Sequence, residues 1–124
     1  MGNLKLDHKK DICILGLWHQ GIVAATCLAE KGFNVIAADE DQKKINDLCN
    51  GISTIYEPGL EDLLKKGIKN GNLQFTNNLI EAVKDKEFIF LMFDTPVDKN
   101  DISDLSDIFK TIKNIAKNLQ NNAV

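Results

Sequence analysis

The sequence has no apolar run approaching the ~20 residues that a membrane-spanning helix requires. Its longest, residues 88–93, is the size of a strand. Residues 1–11 are too polar for the apolar segment of a secretory signal. Charge of one sign is also scarce. Fifteen Lys+Arg against 18 Asp+Glu give a net charge of -3, with the basic residues spread among acidic ones. Such a balance offers nothing to a nucleic-acid backbone. Cysteine is limited to Cys13, Cys27 and Cys49, an odd number without a CxxC pair. Neither a disulfide framework nor a zinc site is indicated, and no metal ligand is assigned. Each cysteine lies in an apolar segment, where a thiol behaves as a small core residue. Three reduced thiols in a cytoplasmic protein without membrane attachment are the expectation. No repeat of solenoid period and no low-complexity segment is present.

What the chain does have is an ordinary globular composition. Its 124 residues are 44% hydrophobic and 27% charged, enough for one domain with a core. Residues 1–10 read as a flexible leader. After them, short strand-like runs alternate with helical periodicity. Residues 12–15, 35–38, 73–75 and 88–93 are the strand candidates. Residues 22–31 read as a helix closed by Gly32. Ile45, Leu48, Cys49 and Ile52 share one face of the next helix. Leu60, Leu63, Leu64 and Ile68 share a face of the third, with Pro58 suited to its first turn. Asn77 or Asn78 can cap a short helix through Val83. A stripe from Leu105 to Leu119 marks the last helix. The alternation predicts an α/β fold, a Rossmann-like parallel sheet with helices on both faces and about four strands in the order 3-2-1-4. Residues 88–93 are apolar at every position, as in a strand buried on both faces. That order leaves this strand at an edge, so a truncated chain is expected.

The informative segment joins the first strand to the first helix, Ile14-Leu15-Gly16-Leu17-Trp18-His19-Gln20-Gly21. A dinucleotide fold places there a tight turn whose helix N–H groups face a pyrophosphate. Gly16 and Gly21 occupy the first and third glycine positions of G-x-G-x-x-G, and Trp18 occupies the second. A side chain at that position obstructs the pyrophosphate unless the indole turns outward. By itself the segment is equally compatible with a plain strand-to-helix turn. Asp39 ends the second strand, roughly 20 residues downstream, where a carboxylate binds ribose hydroxyls or caps a helix. Glu40 and Asp41 follow and would repel a 2′-phosphate, favouring NAD over NADP. Gly21 and Ala25 share a helix face and permit close packing on the sheet.

With these residues in hand, the chain resembles the N-terminal NAD-binding domain of the UDP-glucose/GDP-mannose dehydrogenase family. The likeness runs through the glycine turn, the Ala-Ala-Thr-Cys-Leu-Ala-Glu run from Ala24, and the Asp-Glu-Asp-Gln-Lys-Lys-Ile run from Asp39. It continues through Ile-Tyr-Glu-Pro-Gly-Leu from Ile55, Phe75-Thr76, Asp94-Thr95-Pro96 and Asp104-Leu105-Ser106. The Tyr-Glu-Pro-Gly-Leu stretch is the most specific element. The resemblance implies an incomplete Rossmann domain over residues 11–124, with catalytic and UDP-binding domains absent. It implies that Gly16, Trp18, His19, Gln20 and Gly21 surround the NAD pyrophosphate and that Asp39 binds the adenosine ribose. Lys44 resembles the family's basic residue at that ribose, although a solvated helix-face lysine fits the sequence equally. Thr95 resembles a cofactor-contacting threonine, although a local turn before Pro96 also explains it. Trp18 for glycine, His19 for the usual tyrosine and Asp94 for a small neutral residue depart from the pattern.

The resemblance further implies that the full-length parent, a homodimer, oxidises the C6 alcohol of a UDP-sugar to the uronate, through a cysteine nucleophile. None of the three cysteines matches that nucleophile, no catalytic residue is assigned, and the chain by itself is expected to turn nothing over. Cys27 and Cys49 are expected on core-facing helix positions. Two other functions compete: another NAD-dependent Rossmann dehydrogenase of 3-hydroxyacid type, and a non-catalytic nucleotide-sensing or interaction module. A flavodoxin-like phosphoacceptor domain lacks a reason for the Gly16–Gly21 turn.

Overall fold

The structure, a computed structural model, describes residues 10–124. Nearly all of the leader expected over residues 1–10 therefore lies outside the described residues. Four parallel strands, β1 (Asp11–Leu15), β2 (Asn34–Ala38), β3 (Leu73–Thr76) and β4 (Phe88–Leu91), form one sheet in the order β3-β2-β1-β4. Four helices connect them, α1 (His19–Glu30), α2 (Gln42–Cys49), α3 (Leu60–Asn70) and α4 (Leu79–Val83), and α5 (Ser106–Ile115) follows β4. A 3-10 turn at Ala116–Asn118 follows α5. The expected order and layering are both present.

Strand alternation divides the core in two, because successive side chains point to opposite faces. Ile12, Ile14, Val35 and Ala37 pack with Ile22, Ala25 and Ala29 of α1, Ile45 and Leu48 of α2, and Leu60 and Leu64 of α3. Cys13, Leu15 and Ala38 face the other way, against Leu79, Ala82 and Val83 of α4 and Ile115. Asn78 caps α4, its side chain accepting from the Glu81 N–H, so of the two candidate caps the second is the one used.

Several expectations are corrected. Strand β4 is four residues long and only partly covered, with Phe90 39% and Leu91 37% exposed. Its all-apolar sequence is that of a doubly buried strand, but at the sheet edge its outer side has little to pack against. Val124 pairs with the start of that edge: its N–H donates to the Glu87 carbonyl at 2.9 Å, and the Ile89 N–H donates to its carbonyl at 2.7 Å. The α5 stripe is likewise poorly covered: Ile115 is buried and Ile108 half-buried, while Leu105, Phe109 and Ile112 are exposed. Pro58 precedes α3 rather than entering it, because Gly59 adopts a left-handed conformation (φ 81°) before the helix begins at Leu60. Ile52 lies beyond α2, after the chain has turned at Gly51, and is exposed. Cys27 and Cys49 are exposed too; only Cys13, on a strand inside the sheet, is in the core.

Candidate functional site

In the strand order β3-β2-β1-β4 the chain reverses direction of winding between β1 and β4. Open parallel sheets bind ligands at the carboxyl ends of the strands beside such a switch point. The turn from β1 into α1 lies there. Gly16 has φ 92°, and a Cβ on it would lie 2.8 Å from the Phe93 backbone nitrogen and 2.9 Å from the Met92 carbonyl carbon. Glycine is therefore required twice, by conformation and by the passage of the chain leaving β4. A Cβ on Gly21 would collide with the Gly16 carbonyl oxygen. Both glycines thus let the first turn of α1 close down on the end of β1. Trp18 stands in the capping position of α1 and provides no side-chain cap, so the first N–H groups of the helix keep their capacity to bind an anion.

The carboxylate of Asp39 is tied to this turn. Its Oδ2 accepts the Leu17 N–H at 2.9 Å and the Lys44 ammonium at 2.9 Å. Its Oδ1 accepts the Asp41 N–H at 3.0 Å. Asp39 does not cap α2; Asp41 does, accepting the Lys44 N–H. Burial by itself would raise the Asp39 pKa. The hydrogen bonds from Asp41, Lys44 and Leu17, with the Lys44 charge, outweigh burial and hold it below the ordinary carboxylate value. Lys44 is buried, not a solvated helix-face lysine, and its ammonium lies 4.3 Å from the centroid of the Trp18 ring.

Trp18 is 55% exposed, with its indole turned out toward Lys44. The bulky residue at the second glycine position thus lays its ring over Lys44, beside Asp39. Trp18, Asp39, Glu40 and Phe93 line a crevice of about 220 Å³, closed by Asp107, Lys110, Thr111 and Asn114 of α5. These four helix residues were not among the sequence candidates. Their spacing of i, i+3, i+4 and i+7, a polar face opposite the apolar stripe, is the signal that would have found them.

His19 is separated from that crevice. Its Nε2 lies 2.8 Å from Glu57 Oε1, joining the glycine turn to the Tyr-Glu-Pro-Gly-Leu loop. Both residues line a second cavity, of about 480 Å³, with Val23, Cys27 and Pro58. Gln20 lies in the first turn of α1 and lines neither cavity. Thr95 is half-buried in the loop after β4, where its hydroxyl makes no hydrogen bond among the described residues; Asp94 beside it is exposed. Among the described residues no group of acids, histidines and cysteines could hold a metal, and no helix is long and apolar enough to cross a membrane.

A parallel sheet with a glycine turn at its switch point and a carboxylate at the end of the adjacent strand defines a Rossmann-type dinucleotide-binding domain. Over residues 10–124 the sequence matches the NAD-binding domain of the UDP-glucose/GDP-mannose dehydrogenase family, and the chain belongs to that family. It is 37% identical over 110 residues to a UDP-glucose 6-dehydrogenase of Bacillus subtilis, covering 89% of this chain and 24% of that protein. It is 38% identical over 112 residues to a GDP-mannose 6-dehydrogenase of Pseudomonas savastanoi, covering 90% of this chain and 26% of the relative. Among solved structures, a GDP-mannose dehydrogenase from Pseudomonas aeruginosa, in a ternary complex, superposes with a TM-score of 0.80 at 39% identity over 84% of this chain and 24% of that one. The UDP-glucose dehydrogenase of Pyrobaculum islandicum superposes with a TM-score of 0.86 at 28% identity, over 92% of this chain and 26% of that one. The chain spans about a quarter of the length of these relatives.

Proposed function

We propose that the turn from Gly16 to Gly21 carries the pyrophosphate of NAD and that Asp39, with Lys44, holds the adenosine ribose. The observation that carries this reading is the 2.9 Å hydrogen bond from the Leu17 N–H to Asp39. It makes the ribose acceptor and the phosphate turn one rigid unit, so that both halves of the nucleotide meet groups already in place. The residues fit the cofactor. Gly16 leaves no side chain over the turn, the α1 N-terminus has no side-chain cap, and Asp39 Oδ1 retains acceptor capacity. When bound, NAD supplies a hydride acceptor; this chain's residues bind and orient it. Gln20 supplies backbone at the phosphates, and Thr95, in the loop beyond β4, contacts the cofactor there; its hydroxyl making no hydrogen bond among the described residues supports this role.

In the protein of which residues 11–124 form the cofactor-binding part, we assign the activity of the family: oxidation of the C6 alcohol of a nucleotide sugar to the uronate, by a homodimer. No catalytic residue is assigned within this chain. Three free thiols, two of them exposed, fit the reducing conditions of the cytoplasm. The competing interaction module drew on Trp18 filling the turn; the ring's place over Lys44 supports the cofactor reading instead.

The direct test is titration of the chain with NAD, followed by NMR shifts, for wild type and Asp39→Asn. The amide keeps the shape but presents one acceptor oxygen in place of a charged pair. A loss of about tenfold or more is expected, since hydrogen bonds to charged groups contribute ~1.5–3 kcal/mol. Equal affinity of the two proteins would remove Asp39 from the site.

A further inference from the structure

A glycine is expected where Trp18 stands, and the binding role proposed for the turn makes no use of its ring. Its surroundings give it one. The indole face lies 4.3 Å from the Lys44 ammonium, which is itself 2.9 Å from Asp39 Oδ2. Lys44 is only 8% exposed. An ammonium so withdrawn from water needs other groups in place of its hydration, here a carboxylate on one side and a π face on another. The three residues come from three elements: the turn after β1, the end of β2 and the first turn of α2.

Counting donors and acceptors shows what this triad leaves for a ligand. A carboxylate has about four acceptor positions. Oδ2 receives both Leu17 and Lys44, and Oδ1 receives Asp41. One position on Oδ1 remains. Lys44 retains N–H donors beyond the one given to Asp39. A ribose diol satisfies this set fully, one hydroxyl donating to Oδ1 and its neighbour accepting from Lys44. A 2′-phosphate has no such proton to donate and meets Glu40 and Asp107 in the same crevice. Lys110 lines that crevice as an exposed cation, whereas Lys44 is held back from a phosphate by its bond to Asp39.

We propose that Trp18 is a specificity-determining positioning residue: stacked on Lys44, it keeps the ammonium on Asp39, in the arrangement that takes a free ribose diol and refuses a 2′-phosphate. The proposal rests on the ribose role of Asp39. It reverses the expectation drawn from the glycine pattern, in which removing the ring would open the site.

The test is parallel titration with NAD and NADP of wild type, Trp18→Phe, Trp18→Leu and Asp39→Asn, each confirmed folded by thermal unfolding. Trp18→Phe keeps an aromatic face and should stay within about twofold of wild type. Trp18→Leu should weaken NAD about fivefold, the loss of one partly desolvated cation–π contact, and narrow the preference for NAD over NADP. Unchanged or tighter NAD binding by Trp18→Leu, or an unchanged preference, would overturn the proposal. If Asp39→Asn binds as wild type, or no form binds NAD, the underlying site assignment fails instead. A second readout needs no ligand. Trp18 is the sole tryptophan, so Lys44→Met should diminish its near-ultraviolet circular dichroism as the ring loses its anchor. An unaltered signal would mean that the contact does not hold the ring.

Discussion

Replacing Lys44 by Met removes an ammonium and keeps most of the aliphatic packing of its stem. Asp39 is then left 9% exposed, with the Leu17 and Asp41 N–H groups as its remaining donors. Breaking a fully buried ion pair from one side costs ~3–5 kcal/mol. Two surviving donors and a position at the lip of a crevice place this case lower, at about 2 kcal/mol. For a domain of this size that corresponds to a fall of about 6–10 °C in Tm. The pH dependence carries the sharper test. In the wild type the folded pKa of Asp39 lies below its ordinary value. The stability it contributes is therefore present above an unfolded pKa of about 3.9 and is lost as pH falls through the lowered folded value. Without Lys44 the depression shrinks, because burial then opposes only the two backbone hydrogen bonds. Urea unfolding of both proteins from neutral to acid pH should show a gap that is full at neutrality and closes below about pH 4. A gap that stays constant on acidification would refute the assignment of the stabilisation to this pair.

Two further outcomes follow from the same structure. Gly16→Ala should destabilise the chain by about 2–4 kcal/mol, combining a strained left-handed backbone with overpacking against Phe93 and Met92; urea unfolding measures it, and a change under about 1 kcal/mol would show that the turn is not held as described. A thiol reagent should react at once with Cys27 and Cys49 and with Cys13 only on unfolding, because burial pushes the Cys13 thiol up to about 12 and seals it inside the sheet. Three thiols reacting together in the native protein would contradict that burial.

The sequence by itself determined the elements and their order. Short apolar runs and 3.6-residue patterns, with Gly32 and an Asn77 or Asn78 cap as punctuation, are local properties, and right-handed crossovers convert their succession into the order 3-2-1-4. The glycine positions and Asp39 were legible because a phosphate turn demands particular backbone from particular residues. Tertiary structure alone decided where the remaining side chains went. An all-apolar segment reads as buried on both faces, yet β4 is an edge and α5 is covered at one end, because coverage depends on which neighbours exist rather than on the segment. Lys44 fitted a ribose site and a solvated helix face equally until the fold set it between a carboxylate and an indole donated by two other elements. The direction of the Trp18 ring was not legible because it is fixed by what it can stack on, and His19 lies away from the crevice because Glu57, distant along the chain, supplied a partner elsewhere. Pairings of this kind join residues remote in sequence, and no local pattern encodes them.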